Sequence, residues 1–369
     1  MRRSLRSTAR FFASGVLLGG VFALKYNAGL YGAVVLLAVA LTSGLTARDV
    51  LMLLAGAVLI PGTLVAVFLA GGAVRDLYQA TIAYNVHYSG ETYAGPLQMG
   101  SYLLWFPVDH ARVDALWFVG GLGSTVLLVA AFRNRTAWVP VAWVAAACLS
   151  IAINGSRGLP QYFLQAAPAL ALAAGLGASL VLPRMPRVLA WIVVALVAVG
   201  VWRVNDFPKL ASNVWHDARY VTGEIDWRTH RARYGGQREI DKYSALDNAD
   251  LGAMIAQRSR PDDTVYVFGF SPAAYVYGGR RSASRFFWSR PVILNFNGGD
   301  PRYGVAGLLD DLQRTRPAIV VLQQHDWSPD VQDSAPFFLS QPSLAAFLHG
   351  GYHEVPAIEG FASWERNDR

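Results

Sequence analysis

VLMLLAGAVLIPGTLVAVFLA, residues 50–70, is an apolar run without a single charged side chain. A helix that crosses the hydrocarbon core of a bilayer needs about 20 such residues, and this stretch supplies them. Comparable runs cover residues 11–24, 27–43, 115–132, 137–153, 160–182 and 188–204. All of them lie before residue 205, and beyond it charged residues crowd in. The sequence therefore predicts two parts: a multi-span α-helical membrane domain over 1–204, with about seven spans, and a small α/β domain over 205–369.

Composition agrees. Of 369 residues, 53% are apolar and 15% charged, and the mean hydropathy is +0.30. An average soluble domain is about 25% charged. The formal charge is +7, but the arginines of the first half sit at the ends of apolar runs, which suits membrane topology rather than nucleic acid. Lysine occurs only as Lys25, Lys209 and Lys242, a bias towards arginine that suits a GC-rich bacterial genome. The single cysteine, Cys148, permits no intrachain disulfide and no cysteine metal cluster. The basic head MRRSLRSTAR before an apolar stretch has the form of a signal peptide. The apolar pattern resumes after Lys25-Tyr26-Asn27, however, and favours a retained first span.

Charge asymmetry orients the spans. Arg2, Arg3, Arg6 and Arg10 precede the first, Arg48 follows the second, Arg133 and Arg135 the fourth, and Arg184 and Arg187 the sixth. Positive side chains gather on the cytoplasmic side. The expected arrangement is a multi-pass protein of the bacterial cytoplasmic (inner) membrane with a cytoplasmic N-terminus. The connection 75–114, the short turn near 154–160 and the C-terminal domain are then extracytoplasmic. In the long connection, PLQMGSYLLWFPVD (96–109) reads as an interfacial segment anchored by Tyr102, Trp105 and Phe106.

The C-terminal part has an α/β rhythm. TVYVFG (264–269) and AIVVLQQ (318–324) read as strands, 246–257 and 303–315 as helices, PVILNFN (291–297) as a third strand and YHEVPAIEGFASWERN as a closing hairpin. FGFSPAAYVYGGRRSASRFF follows a strand end, where open sheets place ligands. It carries no phosphate-binding glycine motif, which favours a structural or docking role, with Arg280, Arg281 and Arg285 available to anionic lipid.

The polar residues of the first half are the functional candidates. Lys25 interrupts two apolar runs on the outer side, and a cation there has an anionic group such as a lipid phosphate as its natural partner; its structural alternative is a lysine snorkelling from a helix end. Tyr84, Asn85, His87, Tyr88, Glu91 and Tyr93 bring hydrogen-bonding groups and aromatic faces to the outer connection, suited to a sugar or pyrophosphate. His87 and Glu91, four apart, could share a divalent metal on a helix; the plainer reading is an aromatic belt with a solvated histidine. Arg157 and Tyr162 flank the start of the sixth span and could face the same outer cavity.

The segments GVLLGGVFALKYNAGL, TIAYNVHYSG, QYFLQAAPALALAAGLG and DDTVYVFGFSPAAYVYGGRRSASRF resemble the later two thirds of a GT-C-type integral-membrane glycosyltransferase. The similar branch is the bacterial one of the protein mannosyltransferase and aminoarabinose transferase superfamily, over most of residues 11–290. The resemblance implies transfer of a sugar from a polyprenyl-phosphate donor to an acceptor glycan, lipid or protein at the outer face of the membrane. It implies cations for the donor, with Lys25, Arg75 and Arg157 as candidates, and a histidine at a position like His87 that helps hold a metal. In that family the catalytic aspartate lies in an outer loop ahead of the matched region. Asp76, Glu91, Asp109 and Asp114 do not match it, so no catalytic base is assigned. The expected alternatives are the C-terminal part of a transferase, or a catalytically incomplete relative that binds lipid-linked sugar or partners an enzyme. A transporter is disfavoured by the lack of paired inverted halves and of ionisable residues deep in several spans.

Overall fold

The computed structural model describes all residues except 1, 43, 45, 91, 155–161, 205–206, 234–243, 329, 357 and 369. Two compact units result, Met1–Leu210 and Ala211–Arg369. The first is helical: α1 (Arg2–Leu24), α2 (Leu30–Thr42), α3 (Ala47–Ala70), α4 (Val74–Tyr78), α5 (Tyr84–Gly90), α6 (Pro96–Ala111), α7 (Ala115–Ala131), α8 (Trp138–Ile153), α9 (Ala167–Val181) and α10 (Arg187–Val204). The predicted apolar runs coincide with helices, and local chemistry sets their ends. Thr46 and Asp49 form a reciprocal cap on α3, and the Asp114 carboxylate accepts from Leu116 N at 2.8 Å to start α7.

Among the described residues, three helices are long and apolar enough to cross a membrane: Ala47–Ala70, Arg135–Ile153 and Leu164–Arg184. A fourth arises if α6 and α7, bent by 117° at their junction, count as one span. The apolar stretches Thr8–Leu24, Leu30–Thr42 and Arg187–Trp202 are shorter. α3 bares apolar side chains around its circumference, Leu51, Leu54, Val58, Leu59, Val67 and Leu69 among them.

The connection 75–114 is helical rather than irregular. It runs through α4, one π-helical turn (Gln79–Ala83), α5 and α6. Trp105 is 62% exposed, as an anchor would be, but Phe106 is only 3% exposed. The helical repeat explains the difference. Tyr102, Phe106 and His110 share one face of α6, and that face packs against Trp117 and Phe163.

Two seams hold the helices together, and glycine makes both. A Cβ at Gly15 of α1 would strike the Leu53 carbonyl oxygen, and one at Gly56 of α3 the Phe12 carbonyl oxygen. A Cβ at Gly123 of α7 would strike the Ala173 carbonyl oxygen, while Gly177 meets Gly123 itself. Backbone rests on backbone, the contact that small residues allow. The contacts advance in the same direction along both members of each pair. α1 and α3 therefore run parallel, as do α7 and α9, with α2 and α8 as the return segments.

The second unit holds most of α11 (Phe207–Val221), then α12 (Trp227–Ala232), α13 (Ala245–Arg258), β1 (Thr264–Phe268), α14 (Ala273–Gly278), β2 (Arg281–Ser282), α15 (Arg290–Ile293), α16 (Gly304–Thr315), β3 (Ile319–Gln323), α17 (Ser334–Ser340), α18 (Pro342–Gly351), β4 (Tyr352–Val355) and β5 (Phe361–Arg366). The sheet order is β2-β1-β3-β5-β4. β1 pairs parallel with β2 and β3, and β5 pairs antiparallel with β3 and β4. Both faces of β1 and β3 are covered. Tyr266, Phe268, Val320 and Leu322 pack with Leu308, Leu312 and Phe338, while Val265, Val267, Ile319 and Val321 pack with Leu251 and Ile255 of α13.

The expected strand at 291–297 is instead the short helix α15 and a turn. Pro291 opens the helix, and Asn295 and Asn297 adopt φ of 50° and 56°, which a strand does not allow. Two of the three arginines offered to lipid serve the fold. Arg280 donates to Ser259 Oγ (2.8 Å) and to the Ser259 carbonyl (2.7 Å). Arg285 binds Asp311, which Arg314 also engages at 2.7 Å.

At the carboxyl ends of β1 and β3 the polar groups largely bind one another. Gln323 Oε1 accepts from Phe270 N (2.7 Å) and Ser271 Oγ (2.9 Å). Burial pushes the Asp326 carboxyl above its usual value, opposed by hydrogen bonds from Ser334 N (2.9 Å) and Oγ (2.6 Å).

The seam predicts a sharp contrast between neighbouring glycines. Gly123→Val forces α7 from α9 and should destabilise the protein by about 1–3 kcal/mol or more. Gly121→Ala, with nothing within 4 Å, should leave stability unchanged or slightly raised; thermal unfolding in detergent distinguishes the two. A second prediction concerns Asp311. Burial opposes its ionisation, but hydrogen bonds from Arg285 and Ser284 and the Arg285 charge outweigh this and hold the carboxyl below its usual value. A depressed carboxyl stabilises the fold above the ordinary carboxylate range and loses that contribution as pH falls. Asp311→Asn should cost roughly 1.5–3 kcal/mol at pH 7, nearer the lower figure because the Arg314 side chain is 63% exposed. The difference from the parent should shrink towards pH 3 in a pH series of melting curves.

Candidate functional site

The break between α1 and α2 creates the most unusual chemistry of the helical unit. α1 stops at Leu24, one 3-10 turn covers Tyr26–Gly29, and α2 begins at Leu30. Lys25 lies at the break, partly buried, its Nζ 5.5 Å from the centre of the Tyr162 ring. A cation over an aromatic face gains about 0.5–2 kcal/mol. Sequence reasoning named both residues, and the fold brings them together across 137 positions of chain.

Two residues further on, Asn27 is 5% exposed. Its Nδ2 donates to the Ser150 carbonyl at 2.7 Å. Its Oδ1 is buried with no hydrogen-bond partner among the described residues. Ser150 Oγ donates to Gln165 Oε1 at 2.9 Å, and Gln165 Nε2 donates to the Tyr162 carbonyl at 3.0 Å. A chain of amides and a hydroxyl thus links the α1–α2 break to the end of α8 and the start of α9.

Aromatic side chains back this chain. Tyr93 OH donates to the Ala152 carbonyl at 3.0 Å, and its ring meets Tyr102 at 5.7 Å. Tyr102 stacks on Phe106 at 4.9 Å. His110 stacks on Phe163 at 3.8 Å and lies 5.5 Å from Trp117. His110 Nδ1 is 3.1 Å from the Phe106 carbonyl.

The other predicted residues fall elsewhere or outside view. Tyr84 and Tyr88 stack on one face of α5 with centroids 6.1 Å apart. Asn85 Nδ2 donates back to Thr81 O at 2.7 Å, and His87 is exposed. The π turn just before Tyr84 sets the phase of this group, a device common at functional sites. Glu91 and Arg157 lie outside the described residues, so the suggested His87–Glu91 pair does not enter the geometry. Among the described residues, no group of three or more His, Cys, Asp or Glu could hold a metal ion, and no chemistry is routed through one here.

Sequence reading passed over Ser150, Gln165 and His110 as site residues, quoted Asn27 only within motifs, and counted Tyr93 among the aromatic groups of the outer connection. A signal existed for two of them: Ser150 and Gln165 are polar groups inside otherwise apolar runs, where such groups are costly unless paired.

Pairing predicts the effect of removal. Asn27→Ala and Gln165→Leu each remove a hydrogen-bond partner of the buried Ser150 and should lower stability by roughly 1–3 kcal/mol. His87→Ala, at an exposed position, should stay within about 0.5 kcal/mol of the parent; thermal unfolding in detergent reads all three. No protein-family model matches this chain, nor does any curated protein or solved structure, so the meaning of the site rests on its own chemistry.

Proposed function

We propose that this protein is a membrane glycosyltransferase of GT-C type, or the C-terminal part of one, that takes a sugar from a polyprenyl-phosphate donor at the outer face of the bacterial cytoplasmic membrane. The observation that carries the reading is the Lys25 cluster. A cation sits at a helix break beside Tyr162 and a largely buried amide–hydroxyl chain, among predominantly apolar helices.

The bilayer reading draws support from two features. α3 exposes apolar side chains around its circumference, which in water would be an aggregation surface. Its seam with α1 is built from glycine, as in helix pairs that pack in lipid. With the arginines placed inside, the connection 75–114 and the C-terminal unit are extracytoplasmic.

In the proposed reaction the bond between the sugar anomeric carbon and the phosphate oxygen breaks, and an acceptor oxygen forms the new bond. The polyprenyl phosphate leaves with the electron pair, and the Lys25 ammonium stabilises the charge that develops there. Amide and hydroxyl groups of the type presented by Asn27 and Tyr93 suit sugar hydroxyls, and the Tyr84–Tyr88 pair offers ring faces to a pyranose. Arg157 would add a second cation. The acceptor's proton goes to a carboxylate that this reading leaves unassigned.

That gap favours a second reading on a specific ground. The side chains of the Lys25 cluster are a cation, amides, hydroxyls and rings, with no carboxylate among those described. A catalytically incomplete relative would bind lipid-linked sugar, or partner an enzyme, with the same groups.

The test is binding of a polyprenyl phosphate to the full chain in nanodiscs, followed by transfer assays with lipid-linked sugars. Lys25→Ala should weaken binding about tenfold, as expected for loss of a charge-assisted contact, and Lys25→Arg should retain most of it. His87→Ala should reduce transfer without loss of expression. Binding without turnover would select the second reading. Failure of the parent protein to bind the carrier would remove both.

A further inference from the structure

Helix α11 is amphipathic in the wrong sense for a helix at the edge of a water-soluble unit. On a helical projection Leu210, Ala211, Val214, Trp215, Ala218 and Val221 share one arc, and Ser212, Asn213, His216, Asp217 and Arg219 share the opposite one. A helix beside a soluble core turns its apolar arc inward. Here the polar arc is the packed one. Arg233, which follows α12, donates to Asn213 Oδ1 (2.8 Å) and Ser212 Oγ (2.9 Å). His230 Nε2 meets Asp217 Oδ1 at 3.0 Å, and the His230 ring stacks on Tyr220 at 4.3 Å and His216 at 5.6 Å. Arg228 then ties α12 to α13 through both Asp250 oxygens, at 2.6 and 2.8 Å.

The apolar arc is bare. Val214, Trp215 and Val221 are 60%, 67% and 83% exposed. With its polar groups already engaged by α12, the helix cannot roll to bury the other side without breaking those bonds.

We infer that this arc lies on the bilayer surface, its side chains in the boundary between headgroups and acyl chains. The inference rests on the membrane reading above and adds a binding surface to it. Position on the chain names the occupant. α10 ends at Val204 and α11 begins at Phe207, so at most three residue steps, about 10 Å, separate them. α10 itself bares Val188, Trp191, Leu196, Val199 and Trp202, the exposure of a helix with lipid on several sides. A helix that starts so near the end of an apolar helix begins close to the interface, its bare arc gives it reason to lie there, and Trp215 is a residue type that interfaces favour. A second copy is a poorer occupant: half a dozen side chains fall short of the ~20 residues a side of a stable protein interface.

Site-directed spin labelling of the full chain in lipid nanodiscs tests this. In a Cys148→Ala background, single cysteines replace Val214, Val221, Val58 on the exposed surface of α3, and Asp262 in an exposed turn of the second unit. Accessibility to oxygen, which partitions into lipid, is compared with accessibility to a water-soluble nickel chelate. Labels at Val214 and Val221 should show an oxygen-to-nickel ratio several-fold above that at Asp262, approaching that at Val58. A ratio like that of Asp262, with Val58 still lipid-like, would overturn the inference and leave the membrane reading standing. Low accessibility to both reagents, with Val58 lipid-like, would mean a protein covers the arc, and would also overturn it. If Val58 behaves like Asp262, both ideas fall.

Discussion

Direct contact between helix backbones is the constraint on which the helical unit depends. Gly123 admits Ala173 and Gly177 to its own backbone, and no side chain separates α7 from α9 there. The register that follows is long-ranged. Gly120 meets Leu170, and further back Trp117 of α7 meets Phe163 in the turn ahead of α9. The stack of Phe163 on His110 then fixes α6, and Gln165, two residues on, receives Ser150. The aromatic wall and the amide chain are consequences of how closely two helices approach. A parallel pair also requires a return path, which α8 provides here and α2 provides between α1 and α3.

Within that frame the polar groups of the Lys25 cluster are held by one another. An unpaired amide in an apolar interior costs roughly 1–3 kcal/mol by mutational measures, so Asn27 tolerates its place because Ser150 supplies an acceptor. The same logic leaves Asn27 Oδ1 conspicuous, since it is the one end of the chain without a described donor. The carboxyl ends of β1 and β3 make a useful contrast. There Gln323, Asp326 and Ser334 hold one another in a way that leaves the loops anchored. Position at a strand end is thus no sufficient argument for function, and what sets the α1–α2 break apart is the Asn27 Oδ1 without a described donor.

Much of this fold was legible. The apolar runs 50–70, 115–132 and 188–204 match α3, α7 and α10 within a few residues, because helix length and apolarity are local properties. β1, β3, α13, α16 and the closing hairpin were legible for the same reason. PVILNFN was misread because its strand-like composition is overruled by Pro291 and by two asparagines in left-handed backbone, and backbone sign is not a composition. The site was legible in part. Lys25 and Tyr162 stood out as a misplaced cation and an aromatic at a span start. Asn27 did not stand out as a site residue, because its meaning depends on Ser150, 123 residues away, and no local pattern encodes a partner at that distance.

The deepest limit concerns which side of a helix is inside. α11 has an apolar arc that any periodicity analysis would assign to a core. The structure turns that arc outward because α12 offers imidazole and guanidinium groups rather than a greasy face, and the polar arc of α11 finds them first. Apolarity therefore predicts that a face will be covered but not by what: the Gly15 face of α1 is covered by another backbone, and the Phe106 face of α6 by aromatic rings. The outward faces of α3, α10 and α11 share one property, exposed apolar side chains. Under the proposed membrane reading, a single low-dielectric surroundings accommodates all three, a simpler account than three separate partners.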